Sequence, residues 1–262
     1  MKKFLIAAVL ALVGATGAQA ADLGPVYRKA APIVAPFTWT GSYIGGYVGG
    51  ASAAEDGSTS NPVTATGGFF NFNPVNTGYG LGSSFIGGYT SGYNYQFAPN
   101  WVIGYEGEIG YVKINGSGVQ NPPGVSNGLN DTNGITRIGD WYSVYTARLG
   151  YAWDRSLIYV KGGAAVVRVE AGISDRTGVP QLDTIQHKWK IGYAVGGGWE
   201  YAFDPKWSLK AEYLYLGIES DYATSGNLRP AGPQFFTTTR VPGIHTGKIG
   251  LNYRFDWFSL LR

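Results

Sequence analysis

Bulky and small positions alternate along most of the chain. From Trp189 to Phe203 the odd positions read Trp189, Ile191, Tyr193, Val195, Gly197, Trp199, Tyr201 and Phe203, and the even ones Lys190, Gly192, Ala194, Gly196, Gly198, Glu200 and Ala202. A strand sends successive side chains to opposite faces, so this period of two predicts a β-strand with a different environment on each side. Asp204-Pro205-Lys206 interrupts the run as a turn. The alternation then resumes, with Trp207, Leu209, Ala211, Tyr213 and Tyr215 opposite Ser208, Lys210 and Glu212. The same signal predicts strands over 39–51, 82–97, 101–114, 139–153, 157–171 and 243–255, which with this hairpin makes eight. Two of them are ambiguous. The glycine-rich GSYIGGYVGG does not fix the facing of the first. On the fifth, Lys161 has one parity and Arg168 and Glu170 the other, as a bulge or an extension beyond a membrane would produce.

The connections alternate strictly between long and short. Polar stretches rich in Gly, Asn and Pro run over 52–80, 115–138, 172–186 and 220–242, whereas 98–100, 154–156 and 204–206 are tight turns. Bulky residues bracket each tight turn: Phe97 and Trp101, Trp153 and Leu157, Phe203 and Trp207. A soluble all-β sandwich, the competing class, has no reason to collect its long loops at one end or to place aromatics beside each short turn. An outer-membrane barrel does both, and its apolar residues face lipid while small and charged ones face the lumen. The predicted fold class is therefore all-β: an eight-stranded antiparallel up-and-down transmembrane β-barrel with short periplasmic turns and four long extracellular loops. Phe97, Trp101, Trp153, Phe203, Trp207 and Phe255 form the expected periplasmic aromatic girdle.

The N-terminus and the composition agree with this placement. Lys2 and Lys3, the apolar run Phe4 to Val13 and Ala18-Gln19-Ala20 read as a secretory signal peptide cleaved after Ala20. The expected organisation is signal peptide 1–20, a Pro/Ala-rich periplasmic lead-in 21–38, the barrel 39–255 and a tail 256–262. The chain has no Cys, which excludes disulfides and thiolate metal sites. Charged residues are 14 % of the chain, against roughly 25 % in ordinary soluble domains, and aromatics are 15 %. Lys2 and Lys3 supply two of the three net positive charges, so basicity does not argue for nucleic acid. The expected location is the outer membrane.

The inward positions carry the candidate chemistry. Glu106, Glu108, Glu200 and Glu212 are balanced there by Arg148, Lys210, Lys248 and Arg254. An eight-stranded bore is just wide enough for side chains to fill, so these charges are expected to pair as a lumen network. The favoured reading is a polar plug in a closed lumen, and the alternative is an ion-pair gate in a small porin. His187 and His245 fall near the extracellular rim, where headgroup contact is the favoured reading. A haem- or metal-binding surface receptor is a lesser alternative, and an enzyme weaker still, because no Ser or acid is fixed beside either His. The glycine runs lie inside strands rather than between a strand and a helix, so they are not phosphate loops. No catalytic residue, enzymatic activity or cofactor is expected.

Several segments together resemble the small alphaproteobacterial outer-membrane barrel proteins of the outer-membrane immunogenic, RopB and opacity-porin-like type. They are AQAADL, WTGSYIGGYVGG, FIGGYTSGYNYQ, NWVIGYEGEI, ARLGYAWDRSLIYVKGGAA, GYAVGGGWEYAFDPKWSLKAEYLYL and GKIGLNYRF. The resemblance covers every strand and none of the loops. It implies an integral barrel abundant at the cell surface and often antigenic, in a family where some members resemble haemin binders and many carry the name porin. The implied partners are outer-membrane lipid, the barrel assembly machinery and an extracellular partner reached through the loops, with no nucleic acid. In that family the chain typically ends at the aromatic matching Phe255, whereas here DWFSLLR follows. That leaves the assembly signal internal, or shared with Trp257 and Phe258. The expected function is that of a surface protein with a structural or interaction role.

Overall fold

The computed structural model describes residues 37–61, 75–119, 132–175, 184–227 and 234–255. The expected leader with its cleavage point at Ala20, most of the lead-in and the tail 256–262 lie outside them. Among the described residues there are twelve strands: β1 (Gly41–Ala53), β2 (Gly57–Asn61), β3 (Val75–Tyr79), β4 (Ser83–Gln96), β5 (Trp101–Val119), β6 (Thr132–Trp153), β7 (Ser156–Asp175), β8 (Gln186–Ala202), β9 (Trp207–Gly217), β10 (Ser220–Asn227), β11 (Gln234–Val241) and β12 (Ile244–Phe255). Eight of them close a barrel in the order β1-β12-β9-β8-β7-β6-β5-β4. Every pairing is antiparallel, and β1 completes the ring: Gly46 lies opposite Tyr89 of β4 and Leu251 of β12. Closure removes the unpaired edges that an open sheet would expose to lipid.

The outer surface is apolar. Tyr89 is 75 % exposed and Ile191 77 %, and they are joined by Tyr105, Ile109, Tyr145, Val160, Val195, Leu209 and Ile249 around the ring. In water such a face would far exceed the few hundred Å² of apolar patch a soluble monomer shows, whereas lipid is its natural solvent. On β5 the apolar band runs from Trp101 to Tyr111 before Lys113 ends it. The ten residue steps between Trp101 and Tyr111, at the usual strand rise and tilt, span roughly 25 Å, the height of an outer-membrane apolar band. The girdle residues Phe97, Trp101, Trp153, Phe203 and Trp207 are outward and exposed beside the short turns, and Phe255 is half-buried on the same side. Trp101 packs edge-on against Tyr151 at 5.5 Å and Trp207 against Tyr253 at 5.0 Å. One of these turns needs a left-handed residue: Asp154 takes φ 51°, a conformation that Asp tolerates.

Three expectations need correction. The polar stretches are not all loop. β2 and β3 lie inside 52–80, and β10 and β11 inside 220–242. They form a four-stranded sheet in the order β10-β11-β2-β3. Its buried face mixes the threonines Thr59, Thr237 and Thr239 with Tyr79, Tyr222 and Val241, so no run of apolar alternation announced it. Thr59 and Thr239 hydroxyls lie 3.1 Å apart, and Tyr79 bonds Thr136 of β6 at 2.7 Å. Burial pushes the Tyr79 hydroxyl pKa above its ordinary value. The second correction concerns the chain entry. Trp39 is not the start of a strand but is fully buried inside the base of the barrel, packed with Phe37, Val102, Leu157 and Ala202. The Gln96 side chain holds this entry by accepting the Trp39 N–H at 2.9 Å and donating to the Pro99 carbonyl at 2.6 Å. The third is strand length: β5 to β8 continue well past the expected ends, to Val119 on β5 and Asp175 on β7.

These extensions resolve the fifth predicted strand, which is β7. Lys161 is inward and buried, while Arg168 and Glu170 are outward, ten and twelve residues past Ile158. That distance carries them beyond the apolar band, so no change of parity within β7 is needed. A bulge does occur, but on β6 between Ile138 and Tyr142, where Gly139 has φ +116°. The facing of β1 is also settled. Tyr43, Tyr47 and Ala51 are buried inward, and Ile44 and Val48 point to lipid.

Candidate functional site: the barrel interior and its outer rim

The interior is layered. At its base sit Trp39, Phe37 and Leu157, already described. Arg254 lies over them, its guanidinium 4.3 Å from the Phe37 ring centroid and 5.0 Å from that of Trp39. It donates to the backbone carbonyls of Thr38 and Pro205, both at 2.9 Å. Arg254 was expected in the lumen charge network, and this corrects that placement. It is inward and buried, but near the periplasmic end of β12 it meets carbonyls instead of carboxylates.

Above the base, four carboxylates and four cations form one paired layer. Glu106 receives Lys161 at 2.7 Å, Lys210 at 2.9 Å and the Tyr43 hydroxyl at 2.8 Å. Glu108 receives Lys161 and Lys248, both at 2.5 Å. Glu212 receives Lys161 and Lys248 at 2.8 Å each and the Tyr159 hydroxyl at 2.9 Å. Glu200 takes the Arg148 guanidinium at 3.0 Å, Ser208 at 2.6 Å and Asn252 at 2.9 Å. Arg148 also donates to the Tyr43 oxygen at 3.1 Å and lies 3.8 Å over the Tyr159 ring. Seven of the eight expected network residues thus lie in this layer. Lys161 stands where Arg254 was expected, and the balance of four against four is kept.

The layer has no side-chain exposure above 2 % among its ion pairs. The carboxylates of Glu106, Glu108 and Glu212 approach within 4.8 Å of one another, which alone would suit a hard cation. Three lysine ammonium groups sit between them and supply that positive charge. Leaving any of these ions unpaired would cost several kcal/mol, so the layer stands only as a complete set. Glycines make the room. A Cβ at Gly110 would come within 2.5 Å of the Tyr47 hydroxyl, and one at Gly198 within 2.7 Å of the Tyr159 hydroxyl.

The outer half of the interior is apolar. Ile86, Val112, Ile114, Ile138, Val144, Val167, Leu214, Leu216 and Ile244 fill it, topped by Tyr222 and Val241 from the cap strands. The inward tyrosines Tyr47 and Tyr142, their hydroxyls 2.6 Å apart, join the two halves. Parity placed the charges; it did not show that aliphatic side chains would fill the rest of the bore. Leu214 and Leu216 share parity with Glu212, and Val112 and Ile114 with Glu108, which are the signs of this in the pattern.

The two histidines lie on the outer surface, at different levels. His245 packs between Tyr213 and Tyr215, sharing a 2.6 Å hydrogen bond between its Nδ1 and the Tyr213 hydroxyl. His187 Nδ1 lies 3.0 Å from Glu170. Tyr215 pairs with both His245 and Val195, and His187 is eight residues further along β8 than Val195. Eight residues of strand span roughly 25 Å, so the two cannot share one haem or metal. Around Glu170 the structure gathers Arg168 at 3.2 Å and Arg137 at 3.6 Å as well.

A family model for the outer membrane protein beta-barrel domain matches residues 6–255. The chain belongs to this family. It is 32% identical over 274 residues to the 31 kDa outer-membrane immunogenic protein of Brucella melitensis, covering 97% of this chain and 100% of that protein. The Brucella suis protein of the same name matches equally, at 32% identity. Among solved structures, outer membrane protein OprG of Pseudomonas aeruginosa is similar with a TM-score of 0.51 and 15% identity, over 84% of this chain and 98% of that one. The attachment invasion locus protein of Yersinia pestis has a TM-score of 0.38 at 14% identity, over 82% of this chain and 99% of that one. This family member is an outer-membrane β-barrel protein, and its relatives are named as immunogenic proteins of that membrane.

Proposed function

We propose that this outer-membrane barrel works as a closed, non-enzymatic anchor that presents its cap strands and loops at the cell surface, and that its interior is a plug rather than a pore. The buried ion-pair layer, set between two apolar layers, carries this reading. An ion crossing the described interior would have to break pairs such as Lys161–Glu106 and then pass Leu214, Leu216 and Ile244. The plug also argues against catalysis, because each carboxylate in it already holds a cation and none is left to act as acid or base. The partner at the surface would be met by the extracellular segments. The test is planar-bilayer recording of purified protein, wild type beside Glu106→Gln and Arg148→Gln. The expected result is no steady conductance from the wild type. A stable channel whose conductance the two variants change would overturn the plug in favour of the porin reading.

A further inference from the structure

The outer rim of β5 to β8 is built differently from the rest of the ring. On each of these strands an outward charge follows directly after the apolar band. Lys113 follows Tyr111 on β5, Arg137 lies beyond Trp141 on β6, Arg168 lies ten residues past Ile158 on β7, and His187 lies beyond Trp189 on β8. Trp141 is 60 % and Trp189 61 % exposed, as aromatics at a membrane interface are. Each charge thus lies beyond the last outer apolar residue of its own strand, and register sets Arg137 and His187 two residues further out than Lys113 and Arg168. Register brings two of them together around Glu170: Arg137 pairs with Glu170, and Glu170 with His187. The opposite arc, at the same ends of β9, β12, β1 and β4, shows Tyr215, His245, Gly50 and Phe85 instead.

The charges on this arc do not cancel. Glu170 alone faces Arg137, Arg168 and His187, and its own side chain is only 14% exposed. The guanidinium side chains remain 55% and 42% exposed after meeting it. Lys113 is 3.8 Å from Asp140, a half-exposed pair beside them. Glu170 thus holds two guanidiniums in place and leaves most of their donors facing outward. A planar fork of N–H donors suits the oxygens of a phosphate group. At this depth the neighbouring molecules are the headgroups of the outer leaflet, and the exposed indoles below offer a surface to the acyl chains.

We propose that Arg137 and Arg168, positioned by Glu170, form a binding site for the phosphate of an anionic outer-leaflet glycolipid, with Lys113 and His187 at its margins and Trp141 and Trp189 beneath it. The probe is a bis-phosphorylated lipid A, compared with its dephosphorylated form and with phosphatidylcholine. Each is titrated into the full-length protein in detergent, and bound lipid is counted by native mass spectrometry. The expected order is bis-phosphorylated lipid retained, dephosphorylated lipid and phosphatidylcholine lost. Arg137→Gln with Arg168→Gln should weaken retention roughly tenfold, as expected for two exposed charge-assisted contacts. Lys206→Gln, in an exposed periplasmic turn, should leave it unchanged. A heat-modifiable gel shift checks that each variant is folded. If the double glutamine variant does not fold, Arg137→Lys with Arg168→Lys takes its place, and weaker retention is expected there too because the fork is lost. Equal retention of the dephosphorylated lipid, an undiminished arginine variant, or full displacement by millimolar inorganic phosphate would each overturn the proposal.

Discussion

At the scale of the residue, the interior is governed by ions that tolerate only complete pairing. Lys161 touches three carboxylates, so Lys161→Met leaves three buried anions short of a partner. Its expected cost is about 3–5 kcal/mol, read as a lower urea midpoint of the folded form in detergent. Tyr43→Phe removes one donor to Glu106 and one acceptor from Arg148. It should cost about 1–3 kcal/mol in the same assay. Glu108→Gln and Lys248→Met should couple, because each alone removes one of the other's two ion-pair partners. The double variant is expected to fall short of the sum of the singles by more than about 0.5 kcal/mol. Strict additivity would show that the pair is not a unit. The lumen carboxylates were legible because each lies on the parity opposite a row of bulky apolar residues. Lys161 was not, since Arg168 and Glu170 on the same strand carry the other parity, and parity alone cannot show where the membrane ends.

At the scale of the element, outward residues answer to depth. Tyr105 lies midway along the apolar band of β5 and is 65% exposed, whereas Arg168 lies beyond the band on β7. A Tyr105→Arg substitution should therefore cost about 2–4 kcal/mol of barrel stability. Arg168→Ala should change it by less than about 0.5 kcal/mol. Equal costs at the two positions, from parallel urea titrations in lipid vesicles, would mean that the charged rim lies inside the band. The eight barrel strands were readable because lipid on one face and a packed lumen on the other enforce a period of two. The cap strands β2, β3, β10 and β11 were read as loop because they pack through threonines mixed with larger residues and through pairing with one another.

At the scale of the molecule, two kinds of closure are stacked. The ion-pair layer fills one level of the bore, and an aliphatic layer beneath the cap fills the next. Replacing the β10–β11 hairpin by a short turn should uncover Leu216 and Ile244 and raise binding of an apolar dye. The ion-pair layer would remain, so the shortened barrel should stay heat-modifiable and still fail to conduct in planar bilayers. A steady channel after loss of the hairpin alone would show that the cap, not the charge layer, closes the lumen.

The sequence by itself determined the eight membrane strands, the lipid-facing sides of six of them, the girdle at the short turns and seven members of the charge layer. It could do so because each follows from a neighbour-by-neighbour alternation, and that alternation is local. Only the tertiary structure decided which charges meet. It paired Lys161 with carboxylates on β5 and β9, moved Arg254 to the carbonyls of the chain entry and folded Trp39 into the base. It also set Arg137, Glu170 and His187 side by side from three strands. These contacts depend on register and on how far each strand runs past the membrane, and both arise only when the sheet closes.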